Sequence, residues 1–161
     1  MGGAPGGVAY GLKQVYGENV HCFFTEPVQA PCMLLGVMTG LHDAIAVQDI
    51  GLSGKTTADG LAVGRPSKLV GNICGNLLDG LFTVSDERMD RLVIDLYEKE
   101  NIFIEPSAAA GFPGYWLVQQ NEEYLKRFDD ESLKNATHIA WATGGGMVPQ
   151  GEKEKYLTSN F

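Results

Sequence analysis

The stretch THIAWATGGGMVP, residues 137–149, is an apolar run that ends on a hydroxyl and then on three glycines. Thr137–Thr143 reads as a buried strand, because apolar residues follow one another almost without interruption and turn residues bound the run. A strand running into glycines at its C-terminal end is the place where open α/β sheets bind ligands. Nothing bulky follows Thr143, so its hydroxyl can be aimed at a ligand atom. The plainer reading, a threonine closing a strand ahead of a glycine turn, stands beside the functional one.

Outward from this stretch the sequence alternates helix and strand. Val8–Tyr16 reads as a helix stopped by Gly17, and Val20–Thr25 as a short apolar strand. Pro31–Met38 is compatible with a short helix. Ser85–Glu100 opens on a Ser-Asp-Glu cap and places Met89, Leu92, Val93, Leu96 and Tyr97 at helical spacing. Gly151–Leu157 reads as a closing polar helix. Between residues 40 and 80, Gly51, Gly54, Gly60, Gly64 and Gly71 predict a loop-rich segment that shapes a site, with DAIAVQDIG (43–51) as a candidate strand. The 21 glycines cluster between elements without a repeat period, so the chain reads as one continuous unit.

Composition narrows the classes. A formal charge of −8, with no run of Lys or Arg, repels phosphate backbones and argues against nucleic acid as a partner. No apolar stretch approaches the roughly 18 residues that cross a membrane. Cys22, Cys32 and Cys74 are odd in number and lack paired metal-ligand spacing, which favours reduced thiols in the cytoplasm. Met1 is followed by glycine, not by a basic and apolar signal segment, and this points the same way.

Four further motifs carry candidate chemistry. GGAPGG (2–7) runs straight into a helix, so its backbone amides and the helix dipole make a candidate phosphate cradle; a loose glycine-rich tail is the alternative. Ser53-Gly54-Lys55-Thr56 imitates the end of a nucleotide-binding loop, but Asp49 stands where that pattern needs glycine and would repel phosphate. Glu105 in IFIEPSAAAG is either the first turn of a helix or a carboxylate facing a ligand. Glu26 in FFTEPVQAPC offers one hard oxygen ligand for a cation. His21, His42 and His138 have no zinc-type partners in spacing and read as structural.

Taken together and in order, the runs GGAPGGVAYGLK, HCFFTEPVQAPCMLLGVMTGLHD, VQDIGL, TADGLAVGR, LLDGLFTVSD, IEPSAAAG and NATHIAWATGGGMVP resemble the pyridoxal-phosphate (PLP) dependent fold-type II enzymes of the serine and threonine dehydratase superfamily. Within it they are similar to the D-serine dehydratases from residue 2 to about residue 157. The resemblance implies an α/β fold: part of the large PLP domain, a mostly parallel sheet with helices on both faces, with the N-terminal half absent. It implies that Gly2, Gly3, Ala4, Pro5, Gly6 and Gly7 hold the cofactor phosphate. Thr143, with Gly144 in the same turn, matches the residue that hydrogen-bonds the pyridine nitrogen, and Glu105 lines the cofactor face. Glu26 and the backbone oxygen of Ala30 fall where relatives bind a cation. Cys32 replaces a carboxylate there, which implies a monovalent ion, potassium or sodium. Asp59 lies among the active-site surroundings.

The implied reaction is β-elimination of D-serine to pyruvate and ammonia. A neutral hydroxyl opposite the ring nitrogen moderates the electron sink and favours elimination over transamination. One departure is plain. The lysine that holds the cofactor belongs to a motif like SFKxRG, and Lys13, Lys55, Lys68, Lys99, Lys126, Lys134, Lys153 and Lys155 all lie in other contexts. The chain therefore reads as the C-terminal portion of such an enzyme, with no catalytic residue of its own and the N-terminal half as its expected partner. An inactive fragment, or a PLP or phosphate-binding module without turnover, is the alternative.

Overall fold

A computed structural model describes residues 2–158. Helix α1 spans Gly3–Tyr16 and is halted by Gly17 at φ 56°. It starts five residues ahead of the expected Val8, absorbing most of the glycine loop. Pro5 is tolerated there because first-turn amides have no intrahelical partner to lose. The small face of α1 packs on α3 (Lys68–Cys74): a Cβ built on Gly6 would stand 2.8 Å from Val70 Cγ1 and 3.3 Å from Cys74 Sγ. Only glycine permits that approach.

Strand β1 covers Phe23–Pro27, shifted from the expected Val20–Thr25. It pairs in parallel with β2, Gly80–Val84, in the register Phe23 to Gly80 through Pro27 to Val84. Among the described residues the sheet has these two strands. The crossover between them holds α2 (Cys32–Thr39), ended by Gly40 at φ 69°, then short 3-10 turns and α3. The segment 43–51 is not a strand. It forms the 3-10 turns His42–Ala44 and Val47–Ile50, because the Asp49 carboxylate accepts the Ala46 amide at 2.8 Å and Val47 is drawn fully into the core.

The longest helix, α4 (Asp86–Glu100), begins where the cap predicts, with the Ser85 hydroxyl accepting the Arg88 amide at 3.3 Å. It buries Met89 and Val93 completely, each worth about 1.5–3 kcal/mol. Four short helices follow: α5 (Pro106–Ala109), α6 (Gly114–Gln119), α7 (Glu122–Leu125) and α8 (Asp130–Asn135). The closing helix, α9 (Gln150–Thr158), matches the expected one. One core joins α1, α2 and α3 to β1 through Ala9, Phe24, Met33 and Val70, and others lie under α4 and α5.

Asp79, just ahead of β2, ties three parts of this core together. Its carboxylate accepts the Cys22 amide at 2.8 Å and His21 Nδ1 at 2.8 Å, and pairs with Lys13 Nζ of α1 at 3.0 Å. Burial works to raise this carboxyl, but the bonds from Cys22, His21 and Lys13 outweigh it and hold it below the usual carboxylate range.

The expected strand Thr137–Thr143 is absent. Residues 136–145 have no regular structure, Ile139 is 77% and Trp141 62% exposed, and no amide or carbonyl from 137 to 144 bonds another described backbone group. The apolar pattern encodes burial against a neighbouring strand, and no described strand runs beside it. Among the described residues no helix is long and apolar enough to cross a membrane.

Candidate cofactor site

The first candidate cluster is the N-terminal turn of α1. Gly2 and Gly6 are buried against α3, whereas Gly3, Ala4, Pro5 and Gly7 are exposed. The amides of Gly3 and Ala4 head a 14-residue helix and have no intrahelical acceptor; Pro5 has no amide, and Gly6 donates to Gly2 O at 2.7 Å. The cradle is thus a helix terminus with two outward amides, a narrower donor set than a six-residue nest. Its dipole favours an anion.

The second cluster gathers Thr143, Gly144 and Glu105, which are far apart in sequence. Glu105 is the N-cap residue of α5, the structural reading of that motif, and its side chain caps nothing. Gly145 lies against the Phe103–Glu105 backbone and Gly144 against the Glu105 side chain, with φ of 105° and 110°. A Cβ on Gly144 would stand 2.5 Å from Glu105 Oε1 and 2.6 Å from Glu105 Cδ, so the turn requires glycine on both conformational and steric grounds. No described donor reaches the half-buried Glu105 carboxylate, and the exposed Thr143 hydroxyl makes no hydrogen bond among the described residues. Gly144→Ala is expected to cost about 1–3 kcal/mol in local strain and to swing the turn off Glu105. Loss of the chemical-shift contact between residues 105 and 144, with α4 unchanged, checks it.

The third cluster is Glu26, Ala30 and Cys32. Glu26 is fully buried at the end of β1, and its two oxygens accept the Met33 amide at 2.8 Å and the Leu34 amide at 2.7 Å, at the start of α2. Burial pushes its carboxyl up, opposed by these bonds and by one from the Cys32 thiol. Burial and the neighbouring Glu26 charge push the Cys32 thiol itself up to about 12, so it stays protonated. The Ala30 carbonyl accepts the Cys32 amide at 2.9 Å. The spacing Glu-x3-Ala-x-Cys therefore does converge, and its first evident task is to finish a helix terminus inside the core.

The remaining motifs fall elsewhere. Ser53 binds Gln29 Oε1 through its hydroxyl at 3.0 Å, and Thr56 donates to Asp86 Oδ1 at 2.6 Å; the SGKT run enters no helix and lacks a phosphate-loop geometry. Asp59 is exposed, in the 3-10 turn Asp59–Leu61. Its loop is held by contacts the sequence did not announce: Thr57 Oγ1 donates to the nearly buried Asp90 carboxylate at 3.1 Å, and the Gly60 amide donates to Ser107 Oγ at 3.0 Å. His138 stacks edge-on against Tyr115, and His42 lies beside Gly71.

The unit is α/β with a parallel two-stranded sheet, a glycine-rich helix start and a glycine turn set against a carboxylate. Residues 1–130 match the family described as "Pyridoxal-phosphate dependent enzyme", and the chain belongs to that family. At closer range it is 59% identical over 160 residues to the "Probable D-serine dehydratase" of Colwellia psychrerythraea, covering 98% of this chain and 36% of that protein. It is 55% identical over 161 residues to the "D-serine dehydratase" of Serratia proteamaculans, covering 99% and 36%. The chain thus spans little more than a third of these relatives. Maize serine racemase shares the fold, with a TM-score of 0.66, 20% identity and coverage of 97% of this chain and 43% of that one. A processed threonine deaminase of Solanum lycopersicum does so with a TM-score of 0.63, 23% identity and coverage of 98% and 40%.

Proposed function

We propose that the chain forms the cofactor-holding part of a D-serine dehydratase. The observation that carries this reading is identity of 55–60% over 98–99% of the chain with proteins named D-serine dehydratase or probable D-serine dehydratase. PLP would present its phosphate to the Gly3 and Ala4 amides, its ring nitrogen to the Thr143 hydroxyl and one face to Glu105. The two exposed amides and the unengaged Thr143 hydroxyl fit such a ligand, and the Gly144 backbone leaves Glu105 uncovered where a Cβ would fill the gap. Bound there, PLP supplies the electron sink that a β-elimination of D-serine to pyruvate and ammonia needs.

The residues in hand bind and orient; they do not abstract the substrate proton. Lys13 is engaged by Asp79, and Lys153 lies over the Phe103 ring with Nζ 5.2 Å from its centre, so neither serves as a free amine at the site. Turnover on this reading needs a lysine-bearing segment of the kind the longer relatives have room for. The unpaired, apolar stretch around Ile139 and Trp141 supports a docking edge for it. Cys22, Cys32 and Cys74 are buried and form no disulfide among the described residues, which supports a reducing, cytoplasmic setting.

A potassium or sodium ion beside Glu26 and the Ala30 carbonyl belongs to the same proposal, since a cation would relieve a carboxylate that burial disfavours. Potassium added to a cation-free sample is then expected to raise the melting temperature, and the Glu26→Gln variant to lose that response.

The function is tested by co-expressing the chain with the N-terminal part of the Serratia relative, then assaying pyruvate from D-serine with PLP present. Pyruvate formation that drops at least tenfold in Thr143→Val is expected. No pyruvate from a folded complex carrying the partner's lysine contradicts the proposal and leaves a binding module without turnover.

A further inference from the structure

We infer that Ser107 is a positioning residue for the cofactor face: its hydroxyl holds the Asp59–Gly60 turn against Glu105 and so fixes the carboxylate on the Gly144 turn. The inference rests on the reading of Glu105 and Thr143 given under the proposed function. Ser107 lies on α5 two residues after Glu105, and its Oγ accepts the Gly60 amide at 3.0 Å. Gly60 itself is close to both: a Cβ built on it would stand 3.0 Å from Ser107 Oγ and 3.9 Å from Glu105 Oε1. Gly144 stands at the same carboxyl, where a Cβ built on it would be 2.5 Å from Glu105 Oε1. Glu105 therefore has two glycines beside it, one pinned by Ser107 and the other leading directly from Thr143.

The rest of the loop is moored to a different body. Thr56 Oγ1 and the Thr57 amide bond Asp86 at 2.6 and 2.9 Å, and Thr57 Oγ1 bonds Asp90 at 3.1 Å, all on α4. Ala58, between these moorings and Gly60, is fully buried. Among the described residues the Ser107 hydroxyl makes the hydrogen bond that ties this loop to α5, the element carrying Glu105. Losing it leaves the Thr57 end fixed and frees the Gly60 end, so the effect falls on the site and not on the core.

The test uses the 15N-labelled chain and its Ser107→Ala and Ser107→Thr variants. The readouts are Gly60 amide exchange, the Gly144 amide resonance and PLP affinity from the shift of the Thr143 amide. Ser107→Ala is expected to speed Gly60 exchange and raise the PLP dissociation constant, each by roughly three- to tenfold, as one neutral hydrogen bond allows. The Gly144 resonance should move as well, the melting temperature should hold, and Ser107→Thr should restore all three readouts. Unchanged Gly60 exchange, or a threonine variant as impaired as the alanine one, overturns the inference. If the unsubstituted chain binds no PLP, the proposed function falls. Ser107 is then judged on Gly60 and Gly144 alone, which must move together in Ser107→Ala for the positioning role to survive.

Discussion

Glu26→Ala is expected to be the most damaging single change to the chain's stability, by about 2–4 kcal/mol. The side chain is fully buried and accepts two amides of the first turn of α2, and each buried donor left without an acceptor costs about 1–3 kcal/mol. Relief of the buried charge offsets part of this. For a domain of this size the loss corresponds to a fall of roughly 5–15 °C in melting temperature. Glu26→Gln is expected to fall between, since an amide keeps one acceptor but turns an NH2 toward a donor. The pH dependence has a definite sign. Burial raises this carboxyl in the folded state, so the stability linked to it is complete below the unfolded value near 4.3 and is lost as pH rises through the folded one. Glu26→Gln should remove that loss. A variant that melts with the parent, or a pH profile that Glu26→Gln leaves unchanged, contradicts this account of the cap.

Asp79→Ala is the second large effect, again about 2–4 kcal/mol. The change strands the Lys13 ammonium, whose side chain is only 9% exposed, and removes the acceptor for the Cys22 amide and for His21. The sign with pH is opposite to that of Glu26. The Asp79 carboxyl is held below its ordinary value, so its contribution is complete above the unfolded value near 3.9 and is lost as pH falls through the folded one. Urea midpoints between pH 3 and 6 are expected to fall on the acid side in the parent and to flatten in Asp79→Ala. Together the two carboxylates bracket a weakly acidic optimum, each losing its contribution on its own side.

What was legible in the sequence follows from where the information lies. Helix α4 was readable with its start, because the Ser85 cap and the Met89–Val93 stripe are local signals that its packing reinforces. Gly17 marked the end of α1 for the same reason. The beginning of α1 was misplaced, since glycine and proline count against a helix interior yet are harmless in a first turn followed by a close helix crossing. Thr137–Thr143 reads as a buried strand for a deeper reason: its apolar pattern is that of a strand with neighbours, and no described strand runs beside it. β2 escaped notice because Gly80–Val84 is short and mostly half-buried, with no clean alternation.

The candidate site divides in the same way. Residue types placed the three clusters, and Glu105 with Gly144 and Glu26 with Cys32 do meet in space. Sequence spacing gave no sign that Ser107, Thr57 and Asp90 hold the loop between them, because those bonds join segments about 30 to 50 residues apart through ordinary serine, threonine and aspartate side chains. Nor did it show that Glu26 completes the start of α2, a role visible only once the strand and helix are brought together.

The central claim is that the start of α1 and the glycine turn after Thr143 grip opposite ends of one cofactor. Titrating PLP into the 15N-labelled chain tests it most directly. The account predicts that the Gly3 and Ala4 amides and the Thr143 and Gly144 amides shift together along one saturating curve with a single dissociation constant. Movement of one group while the other stays still contradicts it.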